Sequence, residues 1–337
     1  MRTMTMAQWL KTVLLWIVVT IIAVCVARAL SGRETRVQKE TRFMMDTYVT
    51  VSAAGPEKVA APAVKAALDR MQEVAIKFNG LDARSPIYAF NHDGTPIKDK
   101  EILGLIQTGL DMSAKTDGAF DMTVEALAQI WGFHTDHPHL PADADIQRAL
   151  KSVGYAHLSL KDGQLEKDAH DVMIDLGGIA KGYSIVEAVK VLKAHGIVSA
   201  LIDAGGDVYV IGQNASRPWN IGIQQPRGDG IVGYVAVTDT AVMGSGDYQR
   251  FFIKDGKRYH HIFNPRTGYP TEGVVSVTVI YPDPVVGQVL GKIPFIMGPE
   301  KGLAFLEKIP GMDVIVILSS GEKIVSKGIR HPLKTLN

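Results

Sequence analysis

The pair Asp255–Gly256 separates two short alternating segments and is the feature that most constrains the fold. An Asp-Gly pair favours the two-residue turn of a β-hairpin, because both residues tolerate positive φ angles. We therefore predict antiparallel strands across Phe251–Tyr259, with Ser245 and His261 near each other on paired strands. The alternation of side chains along a strand lets only one of His260 and His261 face a given cleft.

A tight turn follows the hairpin. Asn264-Pro265 favours turn initiation and Gly268 permits a left-handed conformation, so the turn should fix Arg266 in space. A histidine beside a rigid turn and close to serine and aspartate is typical of an active-site edge. The alternative is a structural hairpin that carries an ordinary surface histidine.

The distribution of strands and helices predicts an α+β fold with antiparallel-rich sheets and packed helices, rather than a doubly wound sheet. Apolar residues at helical spacing mark helices over 56–78, 102–110, 146–153 and, less regularly, 285–297. Strands are expected at 198–203, 208–211, 219–223, 231–237, 251–253, 259–263, 275–281 and 314–318.

A second segment combines a strand, a glycine turn and a helix. Asp171–Leu176 is predicted to be a short buried strand, Gly177–Gly178 a turn, and 179–195 a helix that ends at Gly196. Glycines let a ligand approach the backbone amides at a helix start, and Lys181 adds positive charge there, so the segment suits a phosphate. It matches neither a P-loop nor a dinucleotide fingerprint, and a turn used only for packing is the alternative.

Composition excludes several classes of function. The formal net charge of the 337 residues is +1, so electrostatics give no case for a nucleic-acid partner. Cys25 is the single cysteine, which rules out a disulfide within the chain. The hydrophobic content of 46% is enough for a large core, in one domain or in two closely packed lobes.

The N-terminus carries a targeting signal. Residues 12–27 are uncharged and lie between Lys11 and Arg28, which predicts a signal sequence or membrane anchor within 1–36 and a folded domain over 37–337. Cleavage, lipidation at Cys25 and retention as an anchor all stay open, because Val24 is bulkier than the residue usual before a lipidated cysteine.

Short motifs in a fixed order resemble the ApbE family, the flavin transferases also called thiamine biosynthesis lipoproteins. These enzymes move FMN from FAD onto a protein threonine or serine. The motifs are Phe43-Met44-Met45-Asp46-Thr47, Gly118-Ala119-Phe120-Asp121, Trp131-Gly132-Phe133, Asp175-Leu176-Gly177-Gly178-Ile179-Ala180-Lys181-Gly182, Gly205-Gly206-Asp207, Trp219-Asn220-Ile221-Gly222, Ser245-Gly246-Asp247-Tyr248, His261-Ile262-Phe263-Asn264-Pro265-Arg266-Thr267-Gly268 and Gly298-Pro299-Glu300-Lys301.

The resemblance implies the ApbE-like fold and a set of site residues. His261 and Lys181 are the implied catalytic residues, and His261 could accept the proton of the acceptor hydroxyl. FAD is the implied ligand, and its implied contacts are Met45, Ala119, Phe120, Asp121, Asp175, Lys181, Ser245 and Ile262.

One departure from the family bears on its metal. Family members hold magnesium with an aspartate and, four residues later, a threonine, but this chain has Gln288 and Lys292 there. An ammonium repels the ion and an amide binds it less strongly than a carboxylate, so any bound ion would need other oxygens, with the Gly178 backbone carbonyl and Asp283 as the candidates. Lys292 could itself supply the charge that screens the phosphates.

The function that the resemblance implies is FAD:protein FMN transfer to a Ser/Thr hydroxyl of a partner protein, with release of AMP. A non-catalytic FAD-binding protein and an FAD pyrophosphate hydrolase are the alternatives. The family is typically exported or lipid-anchored in bacteria, so we expect the inner membrane, with the folded domain facing the periplasm or the cell exterior.

Overall fold

The computed structural model describes residues 6, 16, 19–20 and 35–335. Most of the apolar segment 12–27, including Cys25, lies outside the described residues, and the division of the chain at residue 36 stays a prediction. Within the described part of the chain, no helix has both the length and the apolar character needed to cross a membrane.

An eight-stranded sheet forms the framework, and every neighbouring pair in it is antiparallel. Its strand order is β1-β2-β5-β6-β9-β12-β13-β14. These strands are β1 (Thr35–Met44), β2 (Thr47–Pro56), β5 (Ala200–Ala204), β6 (Asp207–Ile211), β9 (Ala241–Gly246), β12 (Val274–Tyr281), β13 (Asp313–Leu318) and β14 (Lys323–Val325).

Three two-stranded sheets and a set of helices complete the described fold. The small sheets pair β3 (Leu158–Lys161) with β4 (Gln164–Lys167), β7 (Trp219–Gln224) with β8 (Ile231–Val237), and β10 (Phe251–Lys254) with β11 (Lys257–His260). The helices are α1 (Glu57–Lys77), α2 (Pro86–Asp93), α3 (Lys100–Lys115), α4 (Glu125–Ile130), α5 (Asp143–Ala149), α6 (Ala180–Ala194), α7 (Pro284–Leu290), α8 (Ile293–Met297) and α9 (Pro299–Leu306).

Both faces of the main sheet are buried. Successive side chains of a strand point to opposite faces, so one strand contributes to the clusters on both sides. In β6, Tyr209 and Ile211 join a cluster with the buried residues of α1 and α6. Val208 and Val210 join a different cluster, which the β7–β8 hairpin covers. The fold is therefore α+β with antiparallel sheets, as predicted.

The predicted Asp255–Gly256 hairpin is confirmed, but the placement of Ser245 is wrong. Phe251 pairs with His260, and Asp255 and Gly256 have φ angles of 51° and 74°. Ser245, however, lies on β9 and pairs with Val277 of β12, so it shares no strand pair with His261. The chain leaves the main sheet after Gly246 and builds the hairpin as a separate small sheet.

The predicted strand at Asp171–Leu176 is also wrong, although its burial alternates as a strand's would. Val172, Ile174 and Leu176 are buried, but the segment joins no sheet. The side chain of Asn91 takes the place of a neighbouring strand. Its amide donates to the Ile174 carbonyl and its oxygen accepts from the Ile174 N–H, both at 2.9 Å.

The predicted helix over 285–297 is two short helices. α7 ends at Leu290 and α8 begins at Ile293, so Gly291 and Lys292 form the break. Pro294 lies in the first turn of α8, where its missing N–H costs no helical hydrogen bond. The break matters for function because it places Lys292 at a corner beside the glycine turn.

Candidate functional site

The Gly177–Gly178 turn is the centre of the candidate site. The Asp175 carboxylate accepts the Gly177 N–H at 2.7 Å, which fixes the start of the turn. A methyl group on Gly178 would lie 3.1 Å from the Phe120 ring and 3.5 Å from Cε of Lys292. Phe120, Gly178 and Lys292 are therefore neighbours, and glycine leaves room for them.

Lys181 lies in the first turn of α6 and is held by an acid from the main sheet. Its Nζ is 2.7 Å from Oδ2 of Asp207, whose side chain is only 3% exposed. Oδ1 of Asp207 accepts the Gly244 N–H at 2.9 Å, so the carboxylate is itself anchored to β9. Lys181 is thus placed by β6 and β9, with further ammonium hydrogens available for a ligand.

Gln288 and Lys292 approach the same turn from α7 and the break that follows it. The Gln288 amide donates to the Gly177 carbonyl at 2.9 Å and accepts the Gly182 N–H at 2.7 Å. Lys292 Nζ donates to the carbonyls of Gln288 at 2.8 Å and Gly178 at 3.3 Å. The Gly178 carbonyl, a predicted candidate metal ligand, therefore accepts from an ammonium.

The two adjacent histidines have different environments. His260 is buried, its Nε2 lies 2.8 Å from the Thr271 carbonyl, and its Nδ1 accepts the Ile262 N–H, so it is a structural residue. His261 lies just beyond β11, and its Nδ1 is 3.3 Å from the Arg250 carbonyl. Burial, followed by the positive charge of Arg250, lowers the pKa of His261 to about 3.

Arg250 connects the His261 region to the turn between β1 and β2. Its guanidinium lies 2.5 Å from the Asp46 carboxylate. Met45 and Asp46 both have positive φ angles, 53° and 56°, as a two-residue hairpin turn requires. Met45, one of the implied FAD contacts, thus belongs to a turn that an ion pair connects to the hairpin preceding His261.

The Ala119–Asp121 loop leaves α3 at Asp117 and Gly118, which both have positive φ. Oδ1 of Asp121 accepts hydrogen bonds from the N–H and hydroxyl of Thr123, and Oδ2 accepts the Tyr155 N–H at 2.7 Å. Burial raises the pKa of Asp121. The carboxylate therefore holds the loop in shape, and its predicted FAD contact stays a prediction.

Several predicted site residues converge, and others are placed less directly. Phe120, Asp175, Gly178 and Lys181 lie on or beside one turn. Ser245 reaches the same region from β9, since a methyl on Gly291 would lie 3.0 Å from its Oγ. Ile262 is buried in the main hydrophobic core, and its role, like those of Ala119 and Met45, stays a prediction.

The sequence interpretation gave no role to Asp207, Arg250 or a buried acid–base pair. Asp207 directly follows Gly205-Gly206 in one of the family-like motifs. A carboxylate beside a glycine turn is the signal that could have identified Asp207 as a site residue. The pair joins Glu125 of α4 to His134 at 3.0 Å. Burial raises the pKa of Glu125, and the carboxylate of Glu125 raises the pKa of His134.

The arrangement suits an anionic ligand. Lys181 and Lys292 lie beside a glycine turn at the start of α6, where helix amides favour negative charge. Lys292 is also close enough to contribute to the lowered pKa of His261. Within residues 35–335, no cluster of three or more His, Cys, Asp or Glu side chains could hold a metal ion.

Comparison with known proteins agrees with this geometry. The model of the ApbE family matches residues 45–316. An FAD:protein FMN transferase of Treponema pallidum is 30% identical over 334 residues, covering 91% of this chain and 92% of the relative. The crystal structure of the ApbE protein from Thermotoga maritima superposes with a TM-score of 0.82 and 33% identity, covering 87% of this chain and 97% of that one. The flavin transferase ApbE from Vibrio cholerae gives a TM-score of 0.78 at 26% identity, with coverages of 87% and 98%.

Proposed function

The chain belongs to the ApbE family, and from that membership we propose that it is an FAD:protein FMN transferase. FAD is its substrate, and a protein that carries a serine or threonine hydroxyl is the acceptor. The reaction forms a phosphoester between FMN and that hydroxyl and releases AMP. The comparisons favour neither a non-catalytic FAD-binding protein nor an FAD pyrophosphate hydrolase.

The observation that carries this proposal is the pair of lysines at the glycine turn. A flavin dinucleotide has a negatively charged pyrophosphate between two extended ends, so it needs a cradle for the phosphates and an apolar slot. Lys181 and Lys292 with the turn amides suit the pyrophosphate, and Phe120 lies beside that turn. Asp207 keeps Lys181 in position.

We assign His261 as the base of the transfer step. The acceptor oxygen attacks the phosphorus of the FMN half, the bond from that phosphorus to the bridging oxygen breaks, and AMP leaves. His261 takes the hydroxyl proton as the new bond forms. Its lowered pKa keeps the imidazole unprotonated in the free protein, and the negative charge of bound FAD would raise that pKa and make the ring a stronger base.

Magnesium, which the family implies, does not fit the donors of this site. A magnesium ion needs oxygen ligands in near-octahedral geometry. The oxygen of Gln288 already accepts the Gly182 N–H, and the Gly178 carbonyl faces the Lys292 ammonium. The steps assigned above therefore use only side chains and backbone groups of the chain.

The proposed location is the bacterial inner membrane, with the folded domain on the periplasmic or exterior side. The uncharged segment 12–27 next to Lys11 supports this proposal, because such segments direct proteins to the membrane. Fusion of alkaline phosphatase after residue 337 should give active reporter, since this enzyme is active only after export. An inactive fusion would place the domain in the cytoplasm.

The transferase proposal is tested by supplying FAD and following both products. Purified protein is incubated with FAD and with extract proteins from a strain that lacks flavin transferase. We expect a fluorescent flavin band that survives denaturing electrophoresis, together with AMP in equal amount. AMP without a covalent flavin would indicate a hydrolase, and neither product despite FAD binding would indicate a binding protein.

A further inference from the structure

Two neighbouring carbonyl groups of the glycine turn point towards α7 and receive hydrogens from it. Gln288 donates to the Gly177 carbonyl, and Lys292 donates to the Gly178 carbonyl. These two side chains stand where the family resemblance places an aspartate and a threonine that bind magnesium. The chain therefore offers hydrogen-bond donors to the turn at positions where a metal ion would require oxygen ligands.

Both the oxygen and the nitrogen of the Gln288 amide form hydrogen bonds at this turn. Its oxygen accepts the Gly182 N–H and its nitrogen donates to the Gly177 carbonyl, so it joins the turn to the first turn of α6. An aspartate could accept from Gly182 but could not donate to Gly177. Gln288 is only 5% exposed, so an aspartate there would place a buried carboxylate beside the Gly177 carbonyl with no hydrogen to donate to it.

Lys292 carries a positive charge that forms no ion pair within residues 35–335. Its two hydrogen bonds go to neutral carbonyls, and no carboxylate of residues 35–335 lies within ion-pair distance of its Nζ. Burial lowers the pKa of Lys292 to about 8, and the charge of Asp207, which forms its ion pair with Lys181 instead, opposes this shift only in part. An ammonium has three hydrogens, so one stays available for an anion.

We propose that the Lys292 ammonium, with Gln288 bracing the turn, replaces the family's magnesium and binds the FAD pyrophosphate directly. This inference rests on the proposed function and adds that the chain takes its substrate without a divalent metal. A lysine supplies one fixed charge and donates hydrogen bonds to phosphate oxygens, whereas a metal ion bridges them. FAD affinity should therefore be insensitive to chelators.

The first test uses the unmodified protein. FAD binding to the purified chain is followed by quenching of flavin fluorescence, once with excess EDTA and once with magnesium chloride. We expect the two dissociation constants to agree within roughly twofold. Tighter binding by tenfold or more with magnesium would overturn the inference and leave the transferase proposal intact. No FAD binding under either condition would instead count against the transferase proposal.

The second test removes the ammonium while keeping the length of the side chain. Lys292→Met should weaken FAD binding in EDTA by about 10–100-fold, because a charge-assisted contact to phosphate is lost. Lys190→Met is the matched control: Lys190 is exposed on α6 and, within residues 35–335, pairs only with Glu187, so its removal should leave affinity unchanged. Unchanged affinity in Lys292→Met would contradict the inference.

The third test restores the aspartate and the threonine of the family. It keeps the inference testable if the Lys292→Met protein does not fold. The double variant Gln288→Asp with Lys292→Thr supplies two hard oxygens and removes the repelling charge. It should bind Mn²⁺, seen by electron paramagnetic resonance without FAD present, and should need a divalent metal for tight FAD binding. The inference fails if this variant binds FAD in EDTA as tightly as the unmodified protein.

Discussion

At the scale of single residues, His261 is the clearest case of a side chain tuned by its surroundings. Burial and the charges of Arg250, His260 and Lys292 lower its pKa to about 3. The imidazole NMR signals of His261 in the free protein should therefore not shift between about pH 5 and about pH 8. Bound FAD brings negative charge next to the ring, so its pKa should rise in the complex.

Replacement of His261 tests its role as the base. His261→Asn should lower the rate of FMN transfer by roughly 10²–10⁴-fold while FAD affinity stays nearly unchanged. His260→Asn is not a suitable control, because His260 is buried and bonded on both ring nitrogens. Wild-type transfer in His261→Asn would mean that another group or water takes the proton.

Lys181 contributes to binding and is held by a buried acid. Lys181→Ala should weaken FAD binding by about 1–3 kcal/mol, the range for a lost charge-assisted contact. It should also destabilise the fold, since Asp207 would be left buried without its partner. Fluorescence titration and urea unfolding measure the two effects. Lys193→Ala, on the exposed face of α6, should change neither.

At the scale of elements, the segment 171–176 depends on one side chain. Asn91→Ala would leave the N–H and the carbonyl of Ile174 without partners in a buried place. At about 1–3 kcal/mol for each of the two unpaired groups, unfolding in urea should show a loss of roughly 2–6 kcal/mol. Asp93→Asn, exposed at the end of the same helix, should change stability by less than about 0.5 kcal/mol. An equal effect of both variants would contradict this account.

The local sequence pattern predicted the elements whose structure depends mainly on residues close to each other in the sequence. α1, α3 and the Asp255–Gly256 hairpin follow from apolar spacing and turn residues. The sequence of 171–176 also predicted a short buried strand, but a local pattern does not reveal whether the hydrogen-bond partner is another strand or the amide of Asn91. The pairing of β9 with β12 joins residues far apart in sequence, and no local signal predicts it.

The sequence predicted which residues belong to the candidate site but not which residues hold them in place. The resemblance to the family motifs identified four site residues from the sequence: Phe120, Asp175, Lys181 and His261. Their arrangement depends on contacts across the fold, such as Asp207 with Lys181 and Arg250 with Asp46. These partners come from different strands and loops, so spacing along the chain carries no signal for them.

At the scale of the whole molecule, the Glu125–His134 pair should make stability depend on pH. A histidine whose pKa is raised on folding adds stability that is complete below its ordinary value of 6.5 and is lost as pH rises through the raised value. Glu125, whose pKa burial raises, changes stability in the same direction, because its charged form is the costly one in the folded state. The charge of Asp175 supports protonation of both groups, while that of Arg250 opposes it at His134.

The variant His134→Gln isolates this pair, since glutamine can still donate to Glu125 but cannot become charged. Just below pH 6.5, it should be less stable than the unmodified protein by about 1–3 kcal/mol, the range for a hydrogen bond between charged groups. The difference should shrink as pH rises, because His134 loses its proton and the unmodified protein then keeps only a hydrogen bond from a neutral imidazole, comparable to that from the glutamine amide. Urea unfolding across this pH range measures both curves, and a difference that stays constant or grows with pH would show that the pair does not titrate as a unit.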